Sequence, residues 1–176
     1  MKKLNLACGE RYKEGYVNID NNKDVKADVY QDLNKFPWPF KNSEFDEVYC
    51  HHILEHLDEV LPVMEELWRV CKNKAKILIF SPHTGSFEVH VDVTHKRGFN
   101  TQSFRRCFDF NDDWSFYTKA KFKVLKDYIV FYNYMKLIEY FVNRFRRIKN
   151  IYERHFAYTV QAKEIRVVLE VVKWIS

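Results

Sequence analysis

The chain has 176 residues, 47% of them hydrophobic and 17% aromatic, with only 4 Gly and 4 Pro. That composition leaves ample apolar surface for a core and little room for disordered linkers, so a single domain spanning residues 1–176 is expected. The net charge of +5 is unevenly spread: residues 1–95 carry 12 Lys+Arg against 16 Asp+Glu, residues 115–176 carry 13 against 5, and no run approaches the ~18 apolar residues of a membrane span.

Met1-Lys2-Lys3-Leu4 leads straight into an apolar run, without the long apolar region of a secretory signal. Cys8, Cys50, Cys71 and Cys107 are widely separated, which suits reduced thiols and a cytoplasmic protein. Leu4–Ala7 and Tyr16–Ile19 are compact enough for buried strands. The first ends in Ala7-Cys8-Gly9, small residues that let a ligand approach the backbone. The second ends in Asp20, whose carboxylate can accept from both hydroxyls of a ribose. Together they describe half of a nucleoside site at the carboxyl edge of a parallel sheet.

The Cys8–Gly15 connection is too short for the helix that normally joins parallel strands. One sheet face near the first strand therefore needs cover from a later helix or a partner subunit. Arg11, in that connection, offers a guanidinium to a carboxylate. Val25–Tyr30 reads as a short third strand before Asp32-Leu33, and Pro37 and Pro39 around Trp38 exclude regular structure. Phe45–Cys50 is a fourth strand, and His51–Leu57 leads into a helix with Leu61, Met64, Leu67, Trp68 and Cys71 at three- and four-residue spacing. Lys72-Asn73-Lys74 reads as a turn with the asparagine left-handed, before a fifth strand at Ala75–Phe80. Thr101 is the expected N-cap of a helix, after a loop from Pro82 to Asn100. Lys121–Tyr132 is a sixth strand. Tyr134–Tyr158 reads as one long cationic helix, its stripe of Met135, Ile138, Phe141, Val142, Phe145, Ile148 and Tyr152 wide enough to dock on the sheet. Glu164–Lys173 alternates as the last strand. The predicted fold is α/β: a doubly wound, mostly parallel, seven-stranded Rossmann-like sheet with an antiparallel last strand and the long helix inserted before it.

The order of Gly9, Asp20, Asp32-Leu33, Phe36-Pro37-Trp38-Pro39-Phe40, Ile53-Leu54-Glu55-His56-Leu57 and Lys76–Pro82 resembles the class I S-adenosylmethionine-dependent methyltransferases, in particular the small type 11-like branch with a Leu-Glu-His motif. The resemblance covers roughly residues 4 to 108. It implies S-adenosylmethionine as cofactor and S-adenosylhomocysteine as product, with contacts at Ala7, Cys8, Gly9, Arg11, Asp20, Asp32, Leu33 and His51. Asp32 would accept from the adenine amine and Leu33 would pack on its ring. Read from the residues alone, Asp20 is also a strand-end cap and Asp32 an N-cap before Asn34. Glu10 and Arg11 stand where the family has a later glycine, and Lys72-Asn73-Lys74 where it has Lys-Pro-Gly.

The branch resembles enzymes that modify sugars, lipids or polysaccharide precursors, so a small-molecule, carbohydrate or lipid-linked acceptor is expected. A nucleic-acid methyltransferase is the less expected alternative, because Cys50-His51-His52-Ile53 replaces an Asn-Pro-Pro-Tyr-type signature after the fourth strand. A non-catalytic cofactor-binding scaffold is the other. Methyl transfer to a hydroxyl needs alignment and a proton acceptor, for which neutral imidazole is suited. His52 and His95 are the candidate catalytic residues: the resemblance puts His52 on the acceptor side, and Asp92 is close enough in sequence to orient His95. His56 reads as structural, bonding to a nearby loop. A metal reading also exists, with His51 or His52 and His56 joined by His90, Asp92 or His95, but the resemblance requires no metal and none is expected. The Arg144/Arg147 pair is expected near the cofactor's methyl end, recruiting an anionic acceptor, and a homodimer is the alternative cover for the open sheet face.

Overall fold

The structure is a computed structural model and describes residues 1–112 and 116–173. Seven strands form one sheet in the order β3-β2-β1-β4-β5-β7-β6: β1 (Lys3–Leu6), β2 (Val17–Asp20), β3 (Val29–Tyr30), β4 (Phe45–His51), β5 (Cys71–Pro82), β6 (Lys121–Phe131) and β7 (Ala162–Val172). β1 to β5 pair in parallel, and β7 runs antiparallel to both β5 and β6. The mostly parallel sheet with an antiparallel last strand is the expected one.

Side chains alternate across a strand, so register assigns the faces. Leu4 and Leu6 pair with Val48 and Cys50, which pair with Ile77 and Ile79, then with Leu169 and Val167. This row is fully buried or nearly so. Helix α1 (Val60–Val70) covers it with Val63, Met64, Leu67 and Val70, and α3 (Thr101–Phe108) with Phe104 and Phe108. Asn100, not Thr101, caps α3: its side chain accepts from the Ser103 amide and the Ser103 hydroxyl accepts from the Asn100 amide. The Thr101 amide and hydroxyl instead donate to Glu153.

The opposite face carries Asn5 and Asn18, paired across β1 and β2 and both buried. Asn5 Nδ2 donates to Arg11 O and to Asn18 Oδ1, each at 2.8 Å. Asn18 Nδ2 donates to the Lys13 and Tyr16 carbonyls at 3.0 Å, and its Oδ1 accepts from the Lys13 amide at 2.9 Å. The two asparagines lash the Cys8–Tyr16 connection over the face where a helix was missing. That connection, rather than a later helix, covers β1 and β2 here. Farther along the same face Tyr49, Leu78, Phe80, Val168 and Tyr128 stay half-buried, and part of this strip lines an open groove of about 570 Å³.

β5 begins at Cys71 and absorbs the expected turn. Lys74, not Asn73, takes the left-handed position (φ 65°), because the Asn73 side chain accepts from the Lys173 amide at the end of β7. The expected long helix is also divided. It consists of α4 (Lys136–Arg144) and α5 (Arg146–Ile151), broken at Phe145, whose backbone is extended (φ −124°, ψ 115°), with a π-helical turn at Tyr152–Phe156. Of its stripe Val142 and Tyr152 are buried, but Ile138, Phe141, Phe145 and Ile148 are 39–48% exposed. Polar anchors hold it instead. Asn143 bonds both the amide and the carbonyl of Ile129, Glu139 accepts from the Phe131 amide, and Lys149 donates to Asp127. All three attach to β6, the outermost strand and the third beyond β4, so the anchors tie these helices to the far edge of the sheet rather than beside the ends of β1 and β4. Among the described residues, no helix is long and apolar enough to cross a membrane.

Candidate active site

The two central parallel strands both end in a non-glycine residue forced left-handed: Ala7 (φ 50°) after β1 and His52 (φ 52°) after β4. Such conformations cost free energy and concentrate at functional sites. Gly9 also has positive φ (49°), and an added Cβ there would meet nothing within 4 Å. Conformation, not crowding, requires glycine, and the space above it is open. The Gly9 amide donates to Asp20 Oδ2 at 2.7 Å and the Asn22 amide to Asp20 Oδ1 at 2.9 Å. One carboxylate thus ties the ends of β1 and β2, each oxygen keeping a lone pair for a ligand.

A cleft of about 300 Å³ opens beside this junction, lined by Ala7, Cys8, Gly9, Arg11, His51 and His52, among others. Six of the expected site residues therefore meet in one place. Arg11 contacts the His51 ring, with Nη1 3.1 Å from Nε2 and a closer approach to Nδ1. Burial, then the positive His52 and Arg11, push His51 down to about 4, so it is neutral and can accept from the guanidinium. Asp32 lies in the turn after β3, where Oδ1 accepts from the Asn34 amide and Oδ2 stands 3.6 Å from Lys35 Nζ. Leu33 is only 4% exposed and packs in the core, its carbonyl accepting from Trp38 Nε1.

His52 separates this cleft from a second one of about 360 Å³, lined also by His56, His95, Asp92, Lys163 and Glu164. Both imidazole nitrogens of His52 are engaged, Nδ1 with Glu55 Oε1 and Nε2 with Glu164 Oε2, each at 3.0 Å. Burial would lower its pKa, but the hydrogen bonds to Glu164 and Glu55 outweigh that and raise it to about 9. The ring is an imidazolium at neutral pH and donates through both nitrogens. Glu55 is fully buried and also accepts from Ser81 Oγ; Glu164 also accepts from Arg166. His95 and His56 face each other edge-on, ring centroids 4.6 Å apart. His56 Nδ1 bonds the Thr94 hydroxyl, the nearby-loop bond expected of it. His83 is fully buried and burial pushes it down to about 4; His90 is exposed on the short helix α2 (Glu88–Val91).

Three contributors were not singled out from sequence. Asn5 and Asn18 had a signal, a lone asparagine inside each of two buried apolar runs. Glu164 had none, being 112 residues from His52.

The donor set at the β1–β2 junction suits a nucleoside carrying an amino acid: open backbone at Gly9, a carboxylate for ribose hydroxyls, and a guanidinium for an α-carboxylate. The family model for "Methyltransferase domain" matches residues 10–79. No curated protein matches the sequence. Among solved structures, the fold is similar to that of a SAM-dependent methyltransferase from Archaeoglobus fulgidus (17% identity, TM-score 0.59, covering 96% of this chain and 85% of that one). It is also similar to the YcgJ protein from Bacillus subtilis (13%, 0.61, 99% and 92%) and to an S-adenosylmethionine-dependent methyltransferase from Mesorhizobium loti (9%, 0.60, 96% and 90%). At these identities the likeness is one of fold. Residues 10–79 are thus similar to a methyltransferase domain, and the fold along nearly the whole chain is the one shared by solved S-adenosylmethionine-dependent methyltransferases.

Proposed function

We propose that this protein transfers a methyl group to a hydroxyl of a small, sugar or lipid-linked acceptor seated in the His52–His56–His95 cleft. The observation that carries the reading is the sharing of His52 by two clefts, one at the β1–β2 junction and one on the far side of β4. When bound, S-adenosylmethionine supplies a methyl group already activated on sulfonium. Asp20 would hold its ribose hydroxyls and Arg11 its carboxylate, the Cys8–Gly9 backbone would face it, and Asp32 and Leu33 would serve the adenine. His52, fixed by two carboxylates, positions rather than accepts a proton. That task falls to the His95 side of the cleft, where Nδ1 approaches the Val89 carbonyl at 3.3 Å and Nε2 stands 3.8 Å from Asp92 Oδ2. Calorimetric titration with S-adenosylhomocysteine should show one site; a pure protein that binds neither adenosyl compound would end this reading.

The exposed face of α4 and α5 favours a lipid-linked, anionic acceptor over a nucleic acid. Leu137, Tyr140, Phe141 and Phe145 are 46–72% exposed, interleaved with exposed Arg144 and Arg147. A polar basic groove would suit phosphodiesters; apolar and aromatic groups among arginines suit a bilayer surface. Vesicles containing anionic phospholipid should bind the protein in a flotation assay, and less so at high salt. The double change Arg144→Ala and Arg147→Ala should weaken binding by about 1 kcal/mol per arginine. Equal flotation of variant and wild type would return the two arginines to solvent, and a dimer by light scattering with no vesicle binding would assign the face to a second copy.

A further inference from the structure

Beside the acceptor cleft stands a set of groups able to hold a cation, a role that would replace the proton acceptance given above to the His95 side. Glu55, His56 and His95 bring a carboxylate oxygen and two imidazole nitrogens within 4.8 Å of one another. Ligands bound to one first-row cation at ~2.0–2.2 Å can stand up to ~4.4 Å apart, so a small inward turn of the rings closes the site. Glu55 is fully buried, with Oε1 3.0 Å from His52 Nδ1 and Oε2 accepting from Ser81 Oγ at 3.1 Å, so a cation would take a second lone pair of one of these oxygens.

The surroundings are those of an oriented ligand set. A metal-binding histidine typically directs its other nitrogen to a carbonyl, carboxylate or hydroxyl-type partner, which fixes the tautomer. His95 Nδ1 faces the Val89 carbonyl at 3.3 Å, and His56 Nδ1 faces Thr94 Oγ1 at 2.9 Å. Thr94 is itself fixed, its hydroxyl donating to Asp92 Oδ1 at 2.6 Å. Both Nε2 atoms are thereby left as the lone-pair nitrogens, and Asp92 Oδ2 stands 3.8 Å from that of His95. The segment carrying His95 is strapped to the one carrying His56. The Lys96 amide donates to the Glu55 carbonyl at 2.8 Å, Lys96 pairs with Asp58, and Arg97 donates to the Leu57 and Asp58 carbonyls at 2.9 and 2.8 Å.

A neighbouring trio, His51, His52 and Glu164, also lies close together. There the protein supplies its own cations: His52 bridges Glu55 and Glu164, Arg166 bonds Glu164, and Arg11 occupies His51. That trio is satisfied without an ion.

We propose that Glu55, His56 and His95 bind one divalent first-row cation, of the Zn²⁺ or Mn²⁺ class, with Asp92 or water completing the shell. Two imidazoles and one carboxylate with an open position are a common ligand set for such ions. Resting on the proposed methyl transfer, the cation's role is to hold the acceptor oxygen as a further ligand, a Lewis-acid function that an imidazole alone does not provide.

The test is titration of the purified full chain with Co²⁺, following its ligand-field absorption, and with Zn²⁺ by calorimetry. One equivalent should bind with nitrogen–oxygen spectra and no thiolate charge-transfer band. His95→Gln should abolish the site, and Thr94→Ala, which keeps all three ligands, should weaken it roughly 10- to 100-fold. Circular dichroism of each variant checks folding, and Thr94→Ala carries the test if His95→Gln does not fold. Absence of stoichiometric binding, a thiolate spectrum, or an affinity unchanged in Thr94→Ala would overturn the proposal. S-adenosylhomocysteine titrated into the same samples separates the two readings: its binding without metal leaves methyl transfer standing and removes the ion, and metal binding without it does the reverse.

Discussion

Asp20→Ala is expected to weaken S-adenosylhomocysteine binding by roughly 1–3 kcal/mol, about ten- to a hundredfold. Two losses combine. The ribose hydroxyls lose a charged acceptor, and the Gly9 and Asn22 amides, now held at 2.7 and 2.9 Å by the two carboxylate oxygens, lose the partner that keeps the Cys8–Arg11 backbone against the ligand. Asp20→Asn retains one acceptor oxygen and should fall between wild type and alanine. Calorimetry on protein whose fold is verified by circular dichroism makes the measurement, and unchanged affinity in the alanine variant would remove Asp20 from the site.

Asp127→Asn is expected to lower unfolding free energy by about 3–5 kcal/mol, because it strands a buried ammonium. Lys149 is 5% exposed, and its Nζ lies 2.7 Å from Asp127 Oδ1, while Arg105 pairs with Oδ2. Burial would raise the Asp127 carboxyl, but hydrogen bonds from Lys149 and Arg105 outweigh it and hold it below its ordinary value. Folding therefore favours the carboxylate. Its contribution is in place above the unfolded value of ~3.9 and is lost as pH falls through the lower folded value. For a chain of this size the loss corresponds to roughly 10 °C in melting temperature. Denaturant unfolding at neutral pH and again below pH ~3 should show the gap between wild type and variant narrowing in acid; a variant with wild-type stability at neutral pH would mean that α5 is held by its other contacts.

The chain's local patterns decided most of the architecture. Short apolar runs ending in Gly9, Asp20 and Pro82 read correctly as parallel strands because burial on both faces leaves a signature independent of distant residues. The alternation from Lys121 and from Glu164 likewise gave the antiparallel pair. The spacing of small residues before Gly9 and the carboxylate at Asp20 made the β1–β2 junction legible, because both lie within the first 20 residues and their chemistry is local.

Tertiary structure decided what depended on partners remote in sequence. The Tyr134–Tyr158 stripe is amphipathic by spacing alone, yet Asn143, Glu139 and Lys149 bind β6 through hydrogen bonds and leave much of that stripe exposed. Polar groups satisfied at specific atoms outcompeted a generic apolar face. The charge of His52 was equally hidden. Sequence shows a histidine of ordinary pKa, whereas the fold brings Glu164 from 112 residues away to one nitrogen and buried Glu55 to the other, and two carboxylates in a partly desolvated place turn a candidate base into an imidazolium.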